Sequence, residues 1–306
     1  MHTRRKFLTE ASFALAAAVA RPTSALARLS AAATEPPQLF RIGYQIYSWG
    51  RYYPSAWWEA CEACSASGYP GIEGEYTIAT LYSGRESEFS VRMQRYHEEL
   101  AALYSTTDLD QPGNFYVNRH KNIQAAKFAQ QQGSRVIVIG GTDAKEKTAA
   151  QFVEYARQAN AIGKEILETT GVQVGVHPHF GSLVQNRDEI DRVMESTDPR
   201  YFNLCPDVAH LAAGGMDPLD VMRKYSRRII HVHLKDYKPA SGRDFGGFVE
   251  LGKGIIDFQG IVRELKLSGF KGWADVELDG AVDPTASAVR NRDYLTNVLH
   301  LRVGGA

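Results

Sequence analysis

The chain has few cysteines and no excess of charge of either sign. Only three of its 306 residues are cysteine, which does not fit the disulfide framework of a small secreted domain. Lys plus Arg and Asp plus Glu both total 35, and the pI is near 7.1. Because neither sign dominates, nothing favours nucleic acid, an acidic membrane surface or an acidic polymer as partner. A small neutral substrate fits this composition better.

Of two motifs that would indicate a redox centre or a dinucleotide cofactor, one occurs alone and the other is absent. Cys61 and Cys64 form a Cys-x-x-Cys pair within a helical pattern that includes Trp57 and Trp58. With no second Cys or His pair nearby, core packing is favoured over a zinc or redox site. No Gly-x-Gly-x-x-Gly turn follows the first predicted strand, which disfavours an open dinucleotide-binding sheet.

The N-terminal apolar run is too short, and too rich in alanine, for a stable membrane span. The elements of this region are Arg4-Arg5 before Phe7-Leu8, an apolar stretch over 11–20, and Ala25-Leu26-Ala27. They predict a twin-arginine signal peptide over 1–27, with a linker over 28–40. A basic amphipathic N terminus is the alternative. We expect export by the twin-arginine machinery to the periplasm, without a stable membrane anchor.

Short apolar or β-branched runs alternate with helical patterns along the rest of the chain. The runs lie at about 41–47, 70–74, 103–107, 135–140, 172–177, 201–207, 229–234 and 273–278. The clearest helical patterns cover 152–166 and 258–265, the second behind Asp257 as N-cap. Such alternation predicts a parallel sheet buried on both faces. Eight units of this size favour a single closed (β/α)8 barrel, a TIM barrel, over 41–306.

The segment from Tyr237 to Gly254 follows the seventh predicted strand. It is rich in glycine and contains Pro239, and it is the longest irregular stretch of the pattern. Loops that follow barrel strands lie over the mouth. We therefore expect a lid or substrate loop here.

Several predicted strands end on side chains that bind metals. The residues are His177, Asp207, His233 and Glu277, separated by 30, 26 and 44 positions. A strand with its crossover helix takes about 30 or more residues, so no local finger or loop explains this spacing. A parallel barrel brings the C-terminal residues of all its strands to one mouth. The sequence therefore predicts a metal site at that mouth.

Each carboxylate also has a structural alternative. Asp207 could cap a helix, and Glu277 could form an ion pair with Lys235 or Arg41. Glu73 follows Gly-Ile and would end the second strand, where it is a candidate base or sugar-hydroxyl ligand. An exposed loop position is the alternative for Glu73.

Four of the histidines form two pairs, and the members of each pair are two positions apart. His231 and His233 alternate on one strand and so share a face; we assign His233 to the metal and His231 to a deeper position. The fifth strand ends in His177-Pro178-His179, and either imidazole could be a ligand. A mixed nitrogen and oxygen shell suits Mn, Co, Zn or Fe better than Mg or Ca.

These motifs resemble the xylose isomerase-like barrel superfamily over Arg41 to Leu301. The most specific stretches are Asp207-Val-Ala-His210, His231-Val-His233-Leu-Lys-Asp236, Gly252-Lys-Gly254-Ile-Ile-Asp257-Phe, and Gly269-Phe-Lys-Gly272-Trp followed by Glu277. The superfamily includes sugar isomerases, ketose 3-epimerases, inosose dehydratase, dehydroshikimate dehydratase and apurinic endonucleases. The resemblance implies that Asp207, His233 and Glu277 bind a divalent metal and that His210 contacts substrate.

One position departs from the isomerase and epimerase pattern. Those enzymes place a Glu on the fifth strand, where this chain has His177, and an epimerase uses that Glu with the eighth-strand Glu as paired bases. The His-Pro-His segment and the following 186–191 are more similar to the inosose dehydratase branch. That branch eliminates water from a keto-polyol.

Three functional hypotheses follow. The first is a metal-dependent isomerase or epimerase of a non-phosphorylated keto-sugar or polyol, acting through a metal-stabilised enediolate. The second is a lyase on an inosose, keto-sugar or keto-glycoside, and the third is a carbohydrate-binding barrel without turnover. The candidate catalytic residues are Glu277, His210, Glu73 and Lys235, and the candidate substrate contacts are His179, His210 and Asp236. A homo-oligomer is compatible with all three.

Overall fold

The computed structural model describes residues 36–50, 54–144, 146–239 and 245–304. The predicted signal peptide and most of the predicted linker lie outside this part of the chain. Phe40, the last residue of that predicted linker, is only 3% exposed and packs against Phe270. Within the described residues, no helix has both the length and the apolar character needed to span a membrane.

Eight parallel strands form one sheet that curls into a nearly closed barrel, as predicted. Two further short strands form a separate antiparallel pair. The strands are Arg41–Gln45 (β1), Gly71–Glu75 (β2), Glu99–Thr106 (β3), Val136–Gly140 (β4), Gln173–His177 (β5), Asn203–Leu204 (β6), His231–Leu234 (β7), Asp236–Tyr237 (β8), Phe248–Val249 (β9) and Trp273–Val276 (β10). The order in the large sheet is β6-β5-β4-β3-β2-β1-β10-β7.

Helices follow the strands and cover the outside of the barrel. They are Pro54–Ala66 (α1), Thr77–Leu81 (α2), Glu86–Arg95 (α3), Phe115–Gln131 (α4), Ala149–Thr170 (α5), Arg187–Ser196 (α6), Val208–Ala213 (α7), Pro218–Lys224 (α8), Phe258–Leu267 (α9) and Pro284–Asn297 (α10), with 3-10 turns at Ile46–Trp49, Pro112–Asn114 and Phe245–Gly247. As predicted, Asp257 caps α9, its carboxylate accepting from Gly260 N. Cys61 and Cys64 are buried free thiols in α1, in agreement with a packing role.

The closure of the barrel is uneven. β1 and β10 pair through four residues in register. By contrast β6 has only two residues, and the bridges recorded between β6 and β7 are the isolated pairs Leu204 with Ile229 and Asp207 with His233. The His233 amide donates to Pro206 O at 2.9 Å. The β6–β7 boundary is therefore the weakest seam of the sheet.

Alternation along the strands separates two environments. Ile137 and Ile139 of β4 pack into the large core that also contains helix residues, whereas Val138 belongs to a smaller cluster with Tyr104 and Cys205. Because side chains alternate in direction along a strand, the smaller cluster occupies the barrel interior. The polar side chains of β2, β5, β7 and β10 share that interior.

Within the described residues, the segment predicted to be irregular after the seventh strand contains one short antiparallel strand pair that was not predicted. Asp236–Tyr237 (β8) pairs antiparallel with Phe248–Val249 (β9). The Asp236 carboxylate accepts from the amides of Tyr237, Gly254 and Ile256 at 2.8, 2.7 and 3.2 Å. These bonds fold the segment back on itself, so a short strand pair lies within the otherwise irregular described part of the segment after β7.

Candidate metal centre

Four buried side chains converge at the C-terminal ends of their strands. His177, Asp207, His233 and Glu277 each offer a ligand atom, and these atoms all lie within 4.8 Å of one another. The structure brings His177, rather than His179, into this group. Asp207 caps α7, its Oδ1 accepting from Ala209 N and His210 N, and this leaves its Oδ2 without a hydrogen-bond partner and available to a metal.

The donor atoms fit a divalent metal. Both ring nitrogens of His177 lack a hydrogen-bond partner, as do Asp207 Oδ2 and Glu277 Oε2 by hydrogen-bond geometry. Glu277 Oε2 lies 2.6 Å from His233 Nδ1. Buried polar atoms without partners are costly, and a shared cation would satisfy them together. Two imidazoles with two carboxylates form the mixed donor set of Zn, Mn, Co or Fe sites.

Metal binding requires neutral imidazole and ionised carboxylate, a condition that His177 and Glu277 meet. Burial holds the pKa of His177 well below its usual value, so this imidazole is neutral. Burial opposes ionisation of Glu277, but Lys235 and His233 outweigh it and lower the pKa of Glu277 well below its usual range. Burial raises the pKa of Asp207 to about 6. Burial opposes the charge on His233, but Glu73 and Glu277 outweigh it and raise the pKa of His233 well above its usual value, so a metal would have to displace a proton from this ring.

Glu73 occupies a different layer from the one predicted. Strand β2 ends at Glu75, so Glu73 lies deeper in the barrel, fully buried. Its Oε2 is 2.7 Å from His233 Nε2 and 2.8 Å from His231 Nε2. Burial opposes ionisation of Glu73, but these two histidines lower its pKa to about 2. Glu73 contacts a metal-facing histidine from beneath and is not placed as a base at the mouth.

His231 lies below His233, at the depth expected for it. Its Nε2 is 3.2 Å from Asp275 Oδ2 as well as close to Glu73. Gly43 of β1 makes room for this pair, because a Cβ at Gly43 would come within 2.3 Å of Asp275 Oδ1. A layer of paired charges therefore supports the centre from inside the barrel.

Lys235 and His210 form a pair beside the centre. Lys235 Nζ lies 3.1 Å from His210 Nε2, 3.1 Å from Glu277 Oε1 and 3.4 Å from Asp207 Oδ2. Although burial opposes the charge, Asp279, Glu277 and Asp207 raise the pKa of Lys235 well above its usual value. Burial, and then the charge of Lys235, hold the pKa of His210 well below its usual value. A fully buried cation thus lies against a neutral imidazole.

The structure distinguishes the two ion-pair partners considered for Glu277. Glu277 pairs with Lys235, whereas Arg41 pairs with Glu99 near the N-terminal ends of the strands. The His179 and His210 rings lie against each other, with centroids 4.0 Å apart and planes tilted by 36°; their contact with substrate stays a prediction. Asp236 instead directs its carboxylate to the backbone of the segment after β7.

Sequence reasoning missed three side chains around the centre. The Tyr104 ring lies 5.4 Å from His177, and Gly140 leaves space for it because a Cβ there would come within 1.7 Å of its hydroxyl. The Phe248 ring lies 4.5 Å from both the His210 ring and Lys235 Nζ. Asp279 Oδ1 is 2.5 Å from Lys235 Nζ. Of these three, only Asp279 could have been found from the sequence, since it continues the alternation of Asp275 and Glu277 by two residues.

Known proteins with related sequences share this barrel. A family model described as "Xylose isomerase-like TIM barrel" matches residues 61–298. An inosose dehydratase of Geobacillus kaustophilus (strain HTA426) is 34% identical over 299 residues, which cover 85% of this chain and 95% of that protein. The match to the inosose dehydratase of Clostridium tetani (strain Massachusetts / E88), 33% identical over 164 residues, spans 48% of this chain and about half, 55%, of that relative.

Solved structures show the same fold at low identity. The probable 3-DHS dehydratase AsbF from Bacillus anthracis superposes with a TM-score of 0.72 at 18% identity, covering 85% of this chain and all of that one. At that identity the likeness concerns the fold alone. Together with the family match over most of its length, the barrel places the chain in the xylose isomerase-like TIM barrel family.

Proposed function

We propose that the protein is a metal-dependent lyase that eliminates water or an alcohol from an uncharged keto-polyol or keto-sugar. The observation that carries the proposal is the His210–Lys235 pair at 3.1 Å beside the four metal-facing residues. A neutral imidazole can accept a proton, and an adjacent buried ammonium can stabilise an oxygen that gains negative charge. A base and a hydrogen-bond donor side by side support an elimination.

The chemistry divides between the metal and the side chains. His177, Asp207, His233 and Glu277 would hold the ion, which when bound polarises a carbonyl and acidifies the neighbouring C–H. His210 takes that proton, the C–H electrons form the new C=C bond, and the bond to the β-oxygen breaks. His210 then returns the proton to the departing oxygen while Lys235 donates a hydrogen bond to it. Water or an alcohol leaves, so atoms and charge balance.

Two further observations support elimination over epimerisation. The relatives of 33% and 34% identity are named inosose dehydratases. The fifth strand ends on His177, whose position in the buried donor group and lowered pKa support a role as ligand rather than as a base. Two-sided epimerisation needs a second base on the opposite face of the substrate. A metal-dependent isomerase remains the second candidate, favoured by the metal-facing donor set itself.

A proton NMR time course in D2O tests the proposal. The protein loaded with Zn, Mn, Co or Fe is incubated with inososes and keto-glycosides. An alkene or enone product with release of water or aglycone is expected, and His210→Ala should abolish it while keeping full metal stoichiometry. Deuterium entering the carbon beside the carbonyl, with no group released, would instead establish isomerase or epimerase chemistry.

We also propose that residues 1–27 direct export by the twin-arginine pathway, on the strength of Arg4-Arg5 and the apolar stretch behind them. Changing both arginines to lysine should move the protein from the periplasmic to the cytoplasmic fraction of a bacterial host. Lys6→Arg is the matched control and should leave fractionation unchanged. Periplasmic recovery of the double variant would refute the assignment.

A further inference from the structure

A cavity of about 400 Å³ opens beside the metal centre. Its wall consists mainly of the segments that follow β3, β4 and β5, together with the first turns of α5. Lining residues include Asp108, Asp110, Thr142 and Ser182, and His177 belongs both to this wall and to the metal-facing group. A ligand bound at the centre could therefore extend into the cavity. Its size is in the range of ordinary small-molecule sites.

Two carboxylates in the wall are fixed by hydrogen bonds within the protein. Asp108 accepts from Thr142 N and Thr142 Oγ1, both at 2.8 Å. Asp110 Oδ2 accepts from the side-chain amides of Gln111 at 2.7 Å and Gln151 at 2.8 Å. These contacts hold the carboxylates in place before a ligand arrives, which reduces the ordering cost of binding.

The charge of the wall limits the ligand. Asp108, Asp110, Asp143 and Glu146 line the cavity, and no Lys or Arg is among its described lining residues. A phosphate or carboxylate group would be repelled, whereas hydroxyl groups can donate to the carboxylates.

Phe180 lies in a backbone segment that contacts both the His210 ring and the cavity wall. Its amide donates to His210 Nδ1 at 3.2 Å, while the next residue, Gly181, accepts from Ala144 N of the cavity wall. The Phe180 side chain is 50% exposed. An exposed aromatic ring on this segment provides an apolar face against which a sugar ring can stack.

We infer that the cavity is a subsite for a second, uncharged sugar ring, so that the substrates are keto-glycosides carrying a sugar as aglycone. The inference rests on the proposed elimination. In that reaction the bond between the reacting ring and the glycosidic oxygen breaks, the C=C bond forms in the reacting ring, and the second sugar leaves as a free alcohol with the returned proton. The cavity binds the second sugar, which is the leaving group.

The test compares two substrates that share one reacting ring: a methyl 3-keto-glucoside and a 3-keto disaccharide. In the metal-loaded protein, Asp110→Ala and Phe180→Ala should each raise KM for the disaccharide about tenfold, the loss of one charge-assisted hydrogen bond or one ring contact. KM for the methyl glycoside should stay unchanged. Glu168→Ala, which removes an exposed carboxylate at the far end of α5, is the matched control.

Calorimetric binding separates this inference from the proposed function. If neither substrate reacts but the disaccharide binds more tightly than the methyl glycoside, and the two variants remove that difference, the subsite stands and the proposed elimination fails. If both substrates react with equal kcat/KM and equal affinity, or if the variants affect both alike, the subsite is refuted while the elimination stands. Circular dichroism confirms that each variant is folded.

Discussion

The hydrogen bond between Glu73 and His233 decides which ring nitrogen faces the metal-binding group. His233 Nε2 lies 2.7 Å from Glu73 Oε2, and His233 Nδ1 lies 2.6 Å from Glu277 Oε2. A carboxylate on one ring nitrogen fixes the tautomer and the orientation of the ring, and raises the basicity of the other nitrogen. Glu73 is thus a positioning residue for the metal ligand.

Glu73→Gln should weaken metal binding about 10-fold to 100-fold, the usual effect of losing such a partner. The amide keeps the size of the side chain but removes the charge that holds His233. Competition with a chromophoric chelator measures the affinity independently of activity. Glu98→Gln, at a buried carboxylate outside the metal-facing group, serves as control, and equal affinity in both variants would contradict the positioning role.

Glu98 is a buried carboxyl group with no hydrogen-bond partner at either oxygen. Burial, and then the nearby Asp275 and Glu99, raise its pKa from 4.5 to about 9. The folded state therefore keeps this proton at pH values where the unfolded state has lost it. Its contribution to stability is fully present below about pH 4.5 and is lost as the pH rises toward 9.

Glu98→Gln should accordingly become more stable than the wild type as the pH rises from about 5 to 9. The difference in free energy of unfolding grows by up to about 1.4 kcal/mol per pH unit. Urea denaturation at several pH values measures it. Glu88→Gln, at an exposed carboxylate paired with Arg85, should show no such trend, and parallel pH profiles for Glu98→Gln and wild type would rule out the buried neutral carboxyl.

At the scale of elements, the sequence predicts strands well and their ends poorly. All eight barrel strands lie within or next to predicted runs, because strands buried on both faces are continuous apolar segments. The run 201–207 contains only Asn203–Leu204 (β6) as strand, since Pro206 has no amide to donate to the ladder. The predicted position of Glu73 at the end of its strand was wrong because that strand continues to Glu75.

The β8–β9 hairpin covers the His210–Lys235 pair through Phe248, which is 7% exposed. No sequence period indicated it, since each strand has two residues and glycines surround them. Its position depends on contacts between Asp236 and distant amides, and such contacts have no local signal. The sequence therefore predicted a segment over the barrel mouth but gave no sign of this strand pairing.

Phe248→Ala should lower kcat/KM for the proposed elimination about tenfold, because water would then reach Lys235 and His210 and weaken their electrostatic effect. Metal stoichiometry should not change, since Phe248 is outside the ligand group. Phe270→Ala removes a buried aromatic that packs against Phe40, away from the centre, and is the control. Equal losses in both variants would show a general packing effect.

At the scale of the whole molecule, the metal-facing residues span the weak seam of the barrel. Asp207 follows β6 and His233 belongs to β7, and the recorded bridges between these strands are isolated. Both residues belong to the group that fits a metal. A bound ion would therefore tie the two sides of the seam together, in addition to its chemical role.

Removal of the metal with a chelator should lower Tm, because an ion bound only by the folded state stabilises that state. Hydrogen exchange should accelerate first at Leu204 N and Ile230 N, whose bonds cross the seam. The amide of Arg41, bonded to Gly272 O, is the internal control at the β1–β10 boundary. Uniform acceleration at both boundaries would mean that the ion does not act at the seam.

The site was predictable in part because two rules of barrel geometry apply to it. Residues at the C-terminal ends of the strands meet at one mouth, and every second residue of a strand points to the same face. Asp207, His233 and Glu277 were placed by those two rules together with the family resemblance. Tyr104 and Phe248 were not, because an aromatic side chain on a strand resembles core packing in any sequence. Their contact with the centre depends on space left by Gly140 and on the hairpin, which only the folded arrangement reveals.

The residues that flank the barrel in sequence are bonded to each other in space. Gln38 Nε2 donates to Arg302 O at 3.1 Å, and Arg302 N donates to Gln38 Oε1 at 2.9 Å. Together with the four-residue pairing of β1 and β10, this makes the sheet continuous across the point where the described chain starts and stops. The strand and helix units thus have a cyclic order, and a circularly permuted chain opened in another surface loop would retain every strand neighbour.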